Sequence, residues 1–196
     1  LHLRFQPWSH EEFAEALASD TSSDRLVPFA HLHPAVTDPR SSVSRMIDLG
    51  FRGVKMHPRL DQYRPDSSEN VTLVKEIGAR GLPIVMDCFP DGDWLAGGLD
   101  VLQYARLAKL VPEATIVVAH AAGHRCLDLL MLAKRTSNLW FDLSYSLLYY
   151  RGSSVTQDIM YACRSIRCDR VLFGTDFPDR GLSESVLASL ETVAYT

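Results

Sequence analysis

Short apolar runs alternate with longer amphipathic stretches along the whole chain, and nearly every run closes on a His or an Asp. The runs are 26–33 (LVPFAHLH), 53–57 (GVKMH), 82–88 (LPIVMDC), 115–121 (TIVVAHA), 139–145 (LWFDLSY) and 170–177 (RVLFGTDF). Between them a helical pattern covers roughly 40–49, 68–80, 99–110, 124–136, 154–167 and 183–194. Apolar runs without strict alternation suit parallel strands buried on both faces. Parallel neighbours need crossover helices, so the repeated order predicts a β/α architecture.

The polar residues near the run ends are His33, His57, Asp87, His120, Asp142 and Asp176. A chain that keeps placing His or Asp there builds a ring of side chains around one mouth, as a (β/α) barrel does. The expected fold is α/β, of (β/α)8 TIM-barrel type, in a single domain over 1–196. Six runs read as good strands and 2–6 (HLRFQ) as a weak one. An open doubly wound sheet also uses six strands, and a closed eight-stranded barrel typically takes about 250 residues. With 196 residues, the chain is short for that barrel.

Local signals support the element boundaries. Ser9 and Glu12 have the spacing of a capping box for a first helix at 9–18. Asp38-Pro39 sets a capping side chain before a proline suited to the first turn. Gly50 and Gly81 follow helical patterns where a left-handed residue is wanted. Pro34, Pro58, Pro90 and Pro178 take the chain out of the sheet soon after each polar residue.

Composition removes several classes of function. The chain is 46% hydrophobic and 22% charged, with a net charge of −4. It has no basic stripe for nucleic acid and no polybasic cluster for an anionic membrane. No apolar run approaches the ~20 residues of a membrane span. The opening LHLRFQPWSHEEF lacks the regions of a signal peptide, and also an initiator Met. The four cysteines, Cys88, Cys126, Cys163 and Cys168, follow no ligand or disulfide spacing, so free thiols in the cytoplasm are expected. No nucleophile elbow and no Gly-rich phosphate loop is present.

The run ends carry the candidate chemistry. Alternate strand residues share a face, which groups His31 with His33, Lys55 with His57, and Val118 with His120. His31 and His33 could together supply two metal ligands, or one could pack beneath a loop. His120 follows the apolar IVVA and precedes small residues, suiting a general base near a metal-bound water. Asp176 is costly to bury unless it binds metal or is paired; otherwise it caps the helix near Leu182 or pairs with Arg180. Asp87 reads as a metal ligand or as an acid/base. Lys55 can hold an anionic substrate group or pair with a strand-end acid. Asp142 and Ser144 tune the site by hydrogen bonds. Phe89, Trp94, Tyr145 and Tyr149 either wall a pocket or pack. Lys55, His57 and His33, with Arg59 and Arg64, favour a small carboxylated substrate.

Taken in order, GFRGVKMHP, LPIVMDC, TIVVAHAAGH, NLWFDLSY and RVLFGTDFP resemble the amidohydrolase-related family, in the branch of aminocarboxymuconate-semialdehyde decarboxylase-like enzymes. The similarity runs over about 26–180. It implies a (β/α)8 barrel with a divalent metal, commonly zinc, at its mouth. It implies Asp176 as metal ligand or water-orienting base, and His120 as a catalytic histidine. Asp87 falls where the family has a metal histidine, and the first-strand His-x-His would lie upstream of residue 1. The chain also stops in the helix after GTDFP, before a closing C-terminal region.

The expected activity is metal-dependent hydrolysis of an amide, lactone or related bond in a small carboxylated molecule. The alternatives are non-oxidative decarboxylation, a metal-free binding protein, and a metal-independent enzyme using Asp87 and His120 as its acid/base pair. A small-molecule substrate and a homodimer complete the expectation.

Overall fold

The structure is a computed structural model describing residues 8–21, 23–166 and 168–194. The weak strand at 2–6 lies outside them, as does the side chain of Cys168. The strands are β1 (Phe29–His31), β2 (Gly53–Met56), β3 (Ile84–Met86), β4 (Ile116–Val118), β5 (Leu139–Asp142) and β6 (Val171–Leu172). The main helices are α1 (His10–Ser19), α2 (Pro39–Asp48), α3 (Ser68–Gly78), α5 (Val101–Leu110), α6 (Cys126–Ala133), α8 (Ser154–Ile166) and α9 (Leu182–Ala194). Short helices α4 (Gly92–Ala96) and α7 (Ser146–Tyr149) follow β3 and β5.

All five strand pairings are parallel, and the sheet order is β1-β2-β3-β4-β5-β6. A doubly wound sheet reverses its strand order part-way. This one never does, so the six units follow barrel order, as the strand-end pattern predicts.

Helix starts form where the local chemistry asks for them. Ser9 and Glu12 make the reciprocal capping box, at 3.1 and 2.7 Å. Asp38 caps Ser41 with Pro39 in the first turn. Gly50 and Gly81 take φ of 92° and 68° at the exits of α2 and α3. No helix among the described residues is long and apolar enough to cross a membrane.

The register divides the sheet into two faces. Ala30, Val54, Ile84, Ile116 and Leu139 align across it and are fully buried in the core with the helices. The next row, His31, Lys55, Val85, Val117 and Trp140, projects to the opposite face. That face carries a buried lysine and ends in polar groups, so it is the one that can hold a site.

Two side chains brace the end of the sheet where the strands begin. Asn138, just before β5, donates through Nδ2 to the carbonyls of Ala108, Val111 and Ala114 at 2.9–3.1 Å. Arg170, just before β6, donates to Ala133, Thr136 and Leu139 at 3.0–3.2 Å. Each gathers three carbonyls at the joint between a helix end and the strand that follows it.

Asn138→Ala removes the side-chain donor to all three carbonyls, and urea denaturation is expected to show a loss of about 1–3 kcal/mol. Gly53 faces the Phe29 ring, and a Cβ there would lie 2.2 Å from Cε1. Gly53→Ala should therefore cost about 1–3 kcal/mol by the same measurement, through overpacking.

Candidate active site

Asp87 stands one residue beyond β3 and is 1% exposed. Its backbone is fixed on both sides, its N–H donating to the Met56 carbonyl (2.9 Å) and its carbonyl accepting from the Tyr104 hydroxyl (2.5 Å). It lies two residues beyond Val85, on the site face, as His57 lies two beyond Lys55 and Asp142 two beyond Trp140. Strand alternation thus carries His57, Asp87 and Asp142 to the same end of one face.

His120 arrives differently. Val118 belongs to the core face, so the expectation that Val118 and His120 share a face is corrected. The strand ends at Val118, and His120, Ala121, Ala122 and Gly123 then take φ of 62°, 47°, 58° and 51°. This left-handed turn carries the imidazole across to Asp87, with Nε2 3.2 Å from Oδ1. Non-glycine residues adopt such φ only where the surroundings hold them. Ser146 supplies one restraint, donating from Oγ to the His120 carbonyl at 2.6 Å.

The hydrogen bonds fix the proton positions. His120 Nδ1 lies 3.1 Å from both the carbonyl and the hydroxyl of Ser144; donation to the carbonyl places a proton on Nδ1. Nε2 faces a carboxylate and is held protonated too. Burial alone would lower the His120 pKa, but the hydrogen bond and charge of Asp87 outweigh it and raise it. His57 behaves oppositely. Its Nδ1 accepts from the Leu60 N–H at 3.4 Å, leaving the proton on Nε2, 3.5 Å from Asp87 Oδ1. Burial pushes its pKa down to about 4 despite the nearby carboxylate, so it is neutral at pH 7. Burial would raise Asp87, but His120, His57 and Lys55 hold it well below the usual carboxylate range.

The remaining candidates surround this centre. Lys55 is buried on the same face, and its charge acts on His57, Asp87 and His120. Asp142 accepts from the Ser144 N–H at 2.5 Å, and Ser144 in turn holds His120. The Asp176 residue lies four beyond β6 with φ 64°, and its charge raises His120. His33 sits beyond β1, its Nε2 on the Asp61 carbonyl at 3.2 Å and its ring edge-on to Tyr63. His31 binds the Asp61 carboxylate at 2.7 Å. Both rings of the His-x-His therefore turn to Asp61. Phe89, Tyr145 and Tyr149 pack on one another beside His120, whereas Trp94 is core.

Sequence reasoning missed Asp61 as the partner of the two histidines and missed how near Arg59 comes to Asp87. Asp61 is 5% exposed, and a buried acid in the loop HPRLDQY has no periodic signature. Arg59 Nε lies 3.8 Å from Asp87 Oδ2, and its NH1 is tied to Asp91 at 2.8 Å.

Of the expected metal ligands, Asp87 lies at this centre beside His57 and His120. Among the described residues no three His, Cys, Asp or Glu side chains converge as a metal centre.

Comparison with other proteins bears on the fold. Among curated proteins none matches in sequence. The structure is similar to an uncharacterized TIM-barrel protein from Bordetella bronchiseptica, with TM-score 0.76 and 21% identity. That match covers 93% of this chain and 64% of that one, so the chain spans less than two thirds of its relative. A probable 2-pyrone-4,6-dicarboxylic acid hydrolase from Acinetobacter baumannii, with citric acid bound, gives TM-score 0.68 at 13% identity, over 98% and 74%. A dihydroxybenzoic acid decarboxylase from Polaromonas, with manganese and an inhibitor bound, gives 0.66 at 17%, over 93% and 67%. At such identities the likeness speaks for the (β/α) barrel fold. The sequence profile described as Amidohydrolase matches residues 10–188, from α1 into α9, and the chain belongs to the amidohydrolase family.

Proposed function

We propose that this chain carries the acid–base centre of an enzyme that hydrolyses an amide, lactone or related bond in a small carboxylated molecule. The observation that carries the reading is the buried pair of Asp87 and His120, 3.2 Å apart, with the carboxylate held below its ordinary pKa and the imidazole above its own. Environments that separate titratable neighbours in this way mark acid and base roles.

In this reading water attacks the carbonyl carbon and gives a proton to Asp87. His120 gives its Nε2 proton to the leaving oxygen or nitrogen as the scissile bond breaks. Proton return from Asp87 to His120 across 3.2 Å resets the pair. Asp176 steadies the imidazolium by charge, and Lys55, His57 and His33 form the cationic or donor side that receives the substrate carboxylate. These steps use only groups of this chain; a divalent metal, as the manganese-bound Polaromonas relative carries, would polarise the carbonyl or the attacking water.

Decarboxylation is the second reading, favoured by the buried imidazolium itself. There the carbon–carboxylate bond breaks, CO2 leaves, and the His120 proton goes to carbon. The Polaromonas relative is a decarboxylase and the Acinetobacter one a probable hydrolase, so the family likeness accommodates both.

Assays on small carboxylated lactones and amides, and on hydroxylated benzoates for CO2 release, should identify the reaction. Asp87→Asn and His120→Asn should each lower kcat by about 10²–10⁴-fold. The double variant should be little worse than either single one, because the two act as a unit. Turnover should persist in a strong chelator. Loss that zinc or manganese restores would instead establish the metal-dependent hydrolase.

The neutral His57 also predicts a pH dependence of stability. Its folded pKa, about 4, lies below the ordinary 6.5, so the unfolded chain binds the proton first as pH falls. Stability should drop between those values, by roughly 3 kcal/mol in all. Urea melts at pH 7 and 4.5 check this, and His57→Asn should flatten that part of the profile.

A further inference from the structure

Two buried polar atoms in the site face each other without meeting. Arg59 Nε and Asp87 Oδ2 have no hydrogen-bond partner among the described residues. They are 3.8 Å apart, beyond direct hydrogen-bonding reach. One is a donor and the other an acceptor, and both are costly to leave unpaired.

Neither atom is free to solve the problem by moving. Arg59 is anchored on its far side by the 2.8 Å contact of NH1 with Asp91. The main chain of Asp87 is held by Met56 and Tyr104, and its other carboxylate oxygen is engaged by His120. A polar pair fixed just beyond reach is bridged by an atom that can both accept and donate. A hydroxyl oxygen does so, accepting from Nε–H and donating to Oδ2. A carboxylate oxygen cannot, because it has no proton to give to Asp87.

We propose that Arg59 and Asp87 together seat a hydroxyl oxygen, and that Arg59 positions it for the reaction. The proposal rests on the reading of Asp87 as the base. A hydroxyl donating to Oδ2 gives its proton to Asp87 as that reading requires. Arg59 also borders a cleft of about 640 Å³ with Gln62, Tyr63 and Arg64. The oxygen can come from water or from the hydroxyl of a hydroxy acid, and the two sources are separable.

The test is a crystal structure at a resolution that shows ordered water, with and without glycolate, together with calorimetric binding of glycolate and of acetate. An oxygen within 3.2 Å of both Arg59 Nε and Asp87 Oδ2 is expected in the ligand-free crystals, the limit being that of an ordinary hydrogen bond. Glycolate binding about tenfold tighter than acetate, with its hydroxyl in that seat, assigns the oxygen to the ligand. Equal affinities with the water retained assign it to water.

Arg59→Met should abolish the ordered oxygen and any preference for glycolate. Arg59→Lys keeps the charge without Nε at that point and should do the same, which guards against a variant that merely fails to fold. A crystal in which Arg59 Nε binds Asp87 directly, or in which no oxygen reaches both atoms, overturns the proposal. Because these readouts need no turnover, an inactive enzyme with the oxygen in place would overturn the catalytic reading and leave the seat standing.

Discussion

A carboxylate removed from water must gain cations and donors or take up a proton, and Asp87 has gained them. An imidazolium, a neutral imidazole, a guanidinium and a lysine surround it, on three consecutive strand ends. Each of these groups is expensive to bury alone, and each is made tolerable by the carboxylate. The centre is therefore interdependent. His120 keeps its charge because Asp87 is ionised, and Asp87 stays ionised because His120 and its neighbours are there.

The fold reaches this centre by two routes of unequal legibility. Strand alternation brings His57, Asp87 and Asp142 to one face, and alternation is readable from a sequence. Hence six strands and the main helices follow from the apolar runs and the caps, and the polar strand ends point to barrel order. His120 needs a left-handed turn across His120–Gly123, which no periodicity announces. The small residues AHAAG hint at room for it, but β-strand geometry extended past Val118 gives the wrong face. Asp61 was illegible for a related reason. It sits in an irregular loop, and only the folded chain shows that His31 and His33 turn to it.

The motif order marks the family well because each motif couples an apolar strand to the polar residue that ends it. The chemistry is less well marked. The carboxylate at 87 sets the local charge without altering the strand that presents it. One barrel thus serves related proteins named for hydrolysis and for decarboxylation. Such reactions differ in the bond that breaks, and both need a proton delivered to the group left behind.

The braces at the opposite end of the sheet bear on how such a chain can change. Asn138 and Arg170 each sit immediately before a strand and gather carbonyls from preceding helix ends. They tie β5 and β6 to the units before them without using any residue of the mouth. Loops beyond the strands can then be lengthened, exchanged or recharged while the joints between units stay as they are. A lineage built this way can explore new substrates at one end without renegotiating its stability at the other.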